Sequence, residues 1–363
     1  MRIAFFGLRS AFDYHQIGGV ESCIRRLAAQ LSARGDRVEY LLFGAERTQV
    51  VQVPDCGLTL RYFSTFREAL NSLKAGYDHV VTVYLPPEVR LPFALFRLQQ
   101  RANARFHLIR FGFPRSPLKR LLALVDIRLF YACVFAISPR IFRAIEGMSS
   151  NPVLILPPVN PGYFLNPDEK GSQAKIKVTF AGRIDIGKGI EEVIDLFRKL
   201  QENPGVETAI YGYYSAEADT SCSRGTYEWL RRQTEIKYLD SDRKSYSLEA
   251  EGRLQAALRE TDVLVLPYRQ LSSTIDTPML LLEGMASLCA IVTRRMGDIP
   301  SIYGESDFLL PGDGDLGQAF DLLVNISKDR LAAERLRIWE RNQSLDFRAV
   351  KTAVRFRQAL AGK

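Results

Sequence analysis

The chain has 363 residues, 47% apolar and 25% charged, which suits about two soluble globular domains and excludes collagen-like, disordered and small disulfide-rich classes. Its 49 Lys+Arg against 41 Asp+Glu leave +8 at pH 7, enough to ask which anion it meets: nucleic acid, a lipid headgroup or a phosphorylated substrate. The five cysteines are odd in number and form no C-x-x-C pair, which argues against a disulfide framework and fits a reducing cytosol.

The opening MRIAFFGLRSAFD holds too short an apolar run for a signal peptide before Arg9 and Asp13 interrupt it, and it reads as a buried strand. Short apolar runs at 3–8, 38–43, 80–83, 106–111, 134–138 and 153–157 then alternate with amphipathic segments, as in a parallel sheet with crossover helices. The clearest helix covers 20–34. Val20, Ile24, Leu27 and Leu31 form its apolar stripe, Glu21, Arg25, Arg26 and Gln30 its other face, and Gly35 its C-cap. The apolar stretch 121–138 contains Asp126 and Arg128, which makes it unsuited to a bilayer span while leaving contact with a membrane surface open.

Periodicity stops at 157–175, where four prolines and two glycines mark a linker. Strands follow at 178–181, 207–211, 236–239, 263–267 and 290–293, and Ile190, Val193, Ile194, Phe197 and Leu200 stripe the first helix of this half. The fold class is therefore α/β with two doubly wound Rossmann-like domains, 1–165 and 166–345, and a C-terminal helix in 346–363 expected to pack back on the first. Ligands of such sheets bind outside the carboxyl ends of the strands, so the expected site is the cleft between the two domains.

Three motifs carry chemistry. Gly18-Gly19 stands between the first strand and the first helix, where free N–H groups hold a phosphate, although a bare GG is also ordinary turn geometry. In the second half a strand runs into FAGRIDIGKG, so Arg183 and Lys188 leave the strand end at the mouth of a helix, with Gly182, Gly187 and Gly189 allowing close backbone approach. Two cations there suit a diphosphate, the guanidinium gripping oxygens bidentately and the ammonium acting as a point charge; the alternative is a solvated pair in a turn. Third, Glu283 falls in the apolar stretch 278–286 and needs partners, either ribose hydroxyls or a structural salt bridge.

GGVE, FAGRIDIGKGIEEVIDLF, DVLVLPY, DTPMLLLEGMA and GDIPSIYGESDFLLPGD, in this order and spacing, resemble the retaining glycosyltransferases of family 4, which have the two-Rossmann GT-B fold. The resemblance spans nearly the whole chain. It implies a nucleotide-sugar donor (UDP- or GDP-sugar) held by the second domain, an acceptor held by the first, and transfer with retention without a metal or other cofactor. It implies that Arg183 and Lys188 hold the donor diphosphate, that Glu283 contacts the ribose as the second glutamate of an E-x7-E motif, and that Gly18 and Gly19 close over the phosphates.

The sequence departs from the family in two places. The first glutamate of E-x7-E falls on Ile275, with Asp276 one residue later as the carboxylate near the donor sugar, and Thr277, Pro278, Met279 and Leu280 offering backbone amides at the helix start. The histidine that many members carry at the end of the fourth strand is replaced by Arg110 or Phe111. His107 stands earlier in that strand, where alternation also allows it to face the core, and His15 near the glycine pair matches no motif.

Other readings fare less well. Asp240-Ser-Asp242 and Asp313-Gly-Asp315 are D-x-D triplets in polar loops and read as chance rather than metal sites. A nicotinamide-dependent oxidoreductase lacks G-x-G-x-x-G after the first strand, and a serine hydrolase lacks G-x-S-x-G. A non-catalytic nucleotide-binding relative stays open. Bacterial members of the family build capsule, exopolysaccharide or lipopolysaccharide on lipid carriers, which implies a lipid-linked or glycan acceptor and a cytoplasmic protein peripheral to the inner face of the plasma membrane.

The charge is uneven. Residues 1–165 hold 21 Lys+Arg against 11 Asp+Glu, and 166–363 hold 28 against 30. Within 89–150, Arg90, Arg97, Arg101, Arg105, Arg110, Arg115, Lys119, Arg120, Arg128, Arg140 and Arg143 interleave with Phe93, Leu95, Phe96, Leu98, Leu118, Leu121, Leu122, Leu124 and Val125. That pattern fits an amphipathic face on anionic lipid, or core helices with a solvated basic face. Nucleic acid is not expected, because no recognition motif accompanies the basic stretch.

Overall fold

The computed structural model describes residues 1–12, 18–83, 85–100, 104–112, 116–149, 151–171, 174–215, 221–240, 247–270 and 275–362. They form two compact units: the amino terminus, Gly18–Pro158 and the segment from Phe347 make the first, and Val159–Asp346 the second.

In chain order the first unit contains β1 (Arg2–Leu8), α1 (Gly19–Ser32), β2 (Arg37–Phe43), β3 (Gln49–Val53), β4 (Leu58–Phe63), α2 (Phe66–Leu73) and β5 (His79–Thr82). There follow α3 (Pro87–Gln100), β6 (Arg105–Arg110), α4 (Pro117–Phe130), β7 (Cys133–Ala136), α5 (Pro139–Ile145) and β8 (Pro152–Leu154). The sheet order is β3-β4-β2-β1-β5-β6-β7-β8, all parallel except the antiparallel edge pair of β3 with β4. The sequence reading missed that pair. Val50 and Val51 of β3 are exposed, so the strand lacks the buried face that makes alternation visible.

The second unit contains β9 (Ile176–Arg183), α6 (Ile190–Leu200), β10 (Val206–Tyr213), α7 (Ser221–Arg232), β11 (Lys237–Asp240), α8 (Leu248–Glu260), β12 (Val263–Leu266) and α9 (Met279–Ala286). It ends with β13 (Ala290–Arg294), α10 (Ile299–Tyr303), β14 (Leu309–Leu310), α11 (Leu316–Val324) and α12 (Lys328–Leu345), after which α13 (Ala349–Ala361) returns to the first unit. Its sheet, β11-β10-β9-β12-β13-β14, is wholly parallel. The strand order reverses between β9 and β12, and a doubly wound sheet opens a crevice outside the carboxyl ends at such a point.

Two expectations need correction. Glu21, Arg25 and Arg26, placed on the face of α1 opposite its apolar stripe, are buried; Arg26 donates to the Pro158 carbonyl at 3.2 Å, and α13 packs along α1. Phe356 of α13 stacks on Phe135 at 4.2 Å between centroids, and Arg357 donates to Asp36, which also accepts from the amino terminus. A helical wheel cannot show a second cover arriving from the far end of the chain. The expected linker is also no free spacer. Tyr163 is fully buried, and the Lys170 ammonium is buried against the carbonyls of Leu258 and Ser287 at 2.9 and 2.8 Å.

His107 lies in the core. It is 1% exposed and 3.1 Å from His79 on β5, and burial, with repulsion from His79 and Arg105, pushes its pKa down to about 3. It is a neutral partner of His79 inside the sheet. His15 lies outside the described residues.

Candidate active site at the sheet reversal of the second unit

β9 ends at Arg183, and the chain leaves its carboxyl end through Ile184 and Asp185 into a 3-10 turn, Ile186–Lys188, before α6 begins. Asp185 organises this exit. Its Oδ1 accepts the Gly187 N–H at 2.7 Å, capping the turn, and its Oδ2 accepts Arg183 Nη2 at 2.7 Å and Nε at 3.1 Å. The guanidinium is thus oriented over the turn, while the Arg183 side chain keeps 29% of its surface accessible to an incoming anion.

Lys188 sits deeper. Its Nζ lies 4.6 Å from the centroid of the Tyr268 ring, a cation–π contact. Burial pushes the ammonium from its ordinary 10.5 down to about 7; repulsion from Arg183 adds to this and attraction to Asp185 opposes it. Tyr268 follows β12 across the reversal. Its hydroxyl is pushed up by burial first and then by Glu283 and Tyr213, so the Glu283 carboxylate acts on the same ring. Glu283 is itself buried on α9. Arg183, Lys188 and Glu283, far apart in sequence, therefore gather around the carboxyl ends of β9 and β12.

Gly189 closes this exit against the next. A Cβ there would lie 2.5 Å from the Pro267 carbonyl, and the backbone is left-handed with φ 76°. The Arg269 N–H donates to the Gly187 carbonyl at 3.1 Å. Arg294 then ties the loop down, donating to the carbonyls of Pro267 and Gly314 at 2.8 and 2.9 Å and pairing with Glu192, which also accepts from Arg269. The glycines were expected to make room for a ligand. At Gly189 the room is filled by the Pro267 backbone, and at Gly182 by Leu280, whose Cδ1 would sit 3.3 Å from an added Cβ.

Asp276, Thr277, Pro278 and Met279 are buried just ahead of and at the start of α9, and Leu280 is half-buried. Pro278 is the N-cap. It has no N–H, so it cannot offer the backbone amide expected of it; Met279 and Leu280 can, and no side chain caps this helix.

Gly18 and Gly19 open α1 in the first unit, with Gly18 as N-cap. A Cβ on Gly18 would lie 2.0 Å from Glu21 Oε2. The carboxylate of the GGVE motif therefore folds back beside the helix start, and the positive end of α1 already has an anion close by. Of the D-x-D triplets, Asp315 caps α11 through the Gly317 N–H and Asp240 accepts from the Tyr227 hydroxyl; Asp242 lies outside the described residues.

The sequence reading missed Asp185, Tyr268 and the Glu192–Arg269–Arg294 network. Asp185 carried a signal, since an aspartate two residues before a glycine at a helix entry is a turn-capping pattern. Tyr268 and Arg294 carried none, because their roles depend on pairings across the sheet.

Residues 175–326 match the family model described as "Glycosyl transferases group 1". No curated protein matches the chain. Among solved structures, the Anabaena protein HepE in complex with UDP-glucose aligns with TM-score 0.71 at 13% identity, over 100% of both chains. An α,α-trehalose 6-phosphate synthase from Burkholderia multivorans aligns with TM-score 0.67 at 12% identity, over 99% of this chain and 98% of that one. The catalytic domain of starch synthase IV from Arabidopsis thaliana, bound to ADP and acarbose, aligns with TM-score 0.64 at 13% identity, over 99% and 98%. The chain has the two-Rossmann GT-B fold that these structures share. The residues that match the group 1 glycosyl transferase model, 175–326, lie within the second unit.

Proposed function

We propose that the protein transfers a sugar, with retention and without a metal, from a UDP- or GDP-sugar to a lipid-linked or glycan acceptor in bacterial surface polysaccharide synthesis. The observation that carries the donor half is the pairing of Arg183, oriented by Asp185, with Lys188 at the point where the second sheet reverses. As the bond from sugar C1 to the diphosphate breaks, its electron pair passes to the leaving phosphate oxygen, and two cations fixed beforehand stabilise that charge without reorganising. Lys188, held near neutrality by burial, regains its proton as the dianionic diphosphate arrives.

Glu283 is assigned to the ribose hydroxyls, Asp276 to the donor sugar, and the amides of Thr277, Met279 and Leu280 to sugar or phosphate oxygens. Gly18 and Gly19 approach the phosphates only if the Glu21 carboxylate swings aside. The test is incubation with a panel of radiolabelled UDP-, GDP- and dTDP-sugars and a membrane lipid extract. Labelled lipid is the expected product, and the matching nucleotide alone should raise Tm, since a ligand of the native state stabilises it. Nucleotide binding with no transfer from any donor would overturn the reading in favour of a non-catalytic relative.

Membrane contact of the first unit belongs to the same proposal. No helix among the described residues is long and apolar enough to cross a membrane. Leu91, Leu95 and Leu98 of α3 and Leu118, Leu121, Leu122, Val125 and Leu129 of α4 are all exposed, Leu91 at 70% and Leu118 at 66%. This corrects the expected face, because Phe93, Phe96 and Arg97 are buried; Arg115 and the side chains of Lys119, Arg120 and Leu124 lie outside the described residues. Replacing Leu121 and Leu122 by serine should leave Tm unchanged and weaken co-sedimentation with anionic vesicles by at least ~10-fold, since burying one leucine contributes about 1.5–3 kcal/mol. Unchanged co-sedimentation would count against membrane contact.

A further inference from the structure

In the first unit a cavity of about 50 Å³ lies at the carboxyl ends of β5 and β6, between α3 and α4. It has room for more than one water, whose share of liquid volume is about 30 Å³. Its lining brings Arg90, Arg97 and Arg110 together with a single carboxylate, Asp126, beside Thr82 and Tyr131.

Arg97 is 2% exposed. One of its nitrogens, Nη2, donates to Asp126 at 2.7 Å, and its guanidinium carbon lies 4.3 to 4.9 Å from the ring centroids of Tyr131, Phe130 and Phe93. Nε and Nη1 are buried with no hydrogen-bond partner among the described residues, and so is Nε of Arg110. Arg110 is disfavoured as a cation by burial, with Arg90 adding repulsion and Tyr131 and Asp126 opposing it. Arg90, exposed, donates through Nε to the Leu85 carbonyl at 3.2 Å, which sets it at the mouth.

A purely structural Arg–Asp pair would spend its donors on the fold. Here guanidiniums with buried, unpartnered N–H groups, costly to leave unmade, belong to the lining of the cavity instead. Three guanidiniums against one carboxylate leave two positive charges, which balance a phosphomonoester (about −1.5 to −2 at pH 7) better than a carboxylate or a phosphodiester. We propose that this cavity binds a phosphomonoester group of the acceptor, with Arg97 and Arg110 gripping its oxygens and Arg90 closing the mouth. The inference rests on the acceptor reading above. The exposed leucines lie on the same two helices, so the phosphate can belong to a lipid or to a soluble sugar phosphate.

The test is direct binding to the full chain, with no donor present. Calorimetric titration with hexose 6-phosphate reads the soluble source, with hexuronate as the carboxylate control. Co-sedimentation with phosphatidylcholine vesicles, with and without phosphatidate, reads the lipid source. Binding is expected in at least one phosphate arm, with hexuronate weaker by at least ~10-fold. Arg110→Gln should lower phosphate affinity by roughly 10- to 100-fold, the loss of a hydrogen bond to a charged group. Arg90→Gln, at the exposed mouth and without consequence for folding, should lower it several-fold.

Hexuronate binding as tightly as phosphate, no binding in either phosphate arm, or both variants binding like the parent would overturn the proposal. Binding through Arg110 in a protein that transfers no sugar would sink the transferase reading and leave this site standing. Sugar transfer by a protein whose two arginine variants bind phosphate unchanged would do the reverse.

Discussion

Replacing Arg183 by alanine is expected to lower kcat by roughly 10² to 10³, the usual cost of losing one fixed charge-stabilising donor. Arg183 is held by Asp185 rather than by the core, so urea unfolding of the variant should keep nearly the parental midpoint while turnover falls. Near-normal turnover with the cognate donor and acceptor would remove Arg183 from the reaction.

Lys188→Ala is expected to fall in the same range, and Lys188 adds a pH signature. With its pKa near 7 in the unliganded protein, the ammonium is charged below that pH and neutral above it. A diphosphate prefers the charged form, so kcat/KM should decline above pH 7 by up to about tenfold per unit. Lys188→Arg, charged throughout, should flatten that decline.

The stability linkage has the opposite trend. Because the folded pKa lies below the ordinary 10.5, the protonated lysine destabilises the fold fully below pH 7. That penalty shrinks as pH rises from 7 to 10.5, since the unfolded chain binds more protons across this window. Activity falling while stability rises in one pH range would mark this lysine.

Gly189→Ala should destabilise the second unit by about 2–6 kcal/mol, combining a strained left-handed backbone with overpacking against a neighbouring carbonyl. The steric part is specific to this position, since the added Cβ would meet the Pro267 carbonyl at 2.5 Å. Gly35 is the control: its φ is 81° and nothing lies within 4 Å of an added Cβ, so Gly35→Ala should cost only about 1 kcal/mol for the backbone. Urea denaturation should show a large fall in midpoint for the first variant and a small one for the second, with equal slopes. Equal falls would mean that the Pro267 contact contributes nothing.

Much of the fold was legible because parallel strands buried on both faces are written as apolar runs. Those at 3–8, 38–43 and 263–267 fall on β1, β2 and β12. The edge strand β3 was illegible for the converse reason, and buried Arg26 finds its partner in the Pro158 carbonyl, far along the chain. At the site, Arg183 and Lys188 stood out because cations amid glycines at a strand-to-helix junction are locally encoded.

The order of strands and helices, the concentration of positive charge in the first half and the cationic exit from β9 were all set by residues close to one another in sequence, so the sequence alone determined them. What needed the tertiary structure was everything that depends on what stands opposite. Only there does Lys188 meet the Tyr268 ring, and only there does burial lower its proton affinity. Likewise Arg97 and Arg110, two members of a basic stretch in sequence, converge on one buried cavity. Desolvation and the pairing of charges are properties of the packed neighbourhood, and residues far apart along the chain supply that neighbourhood.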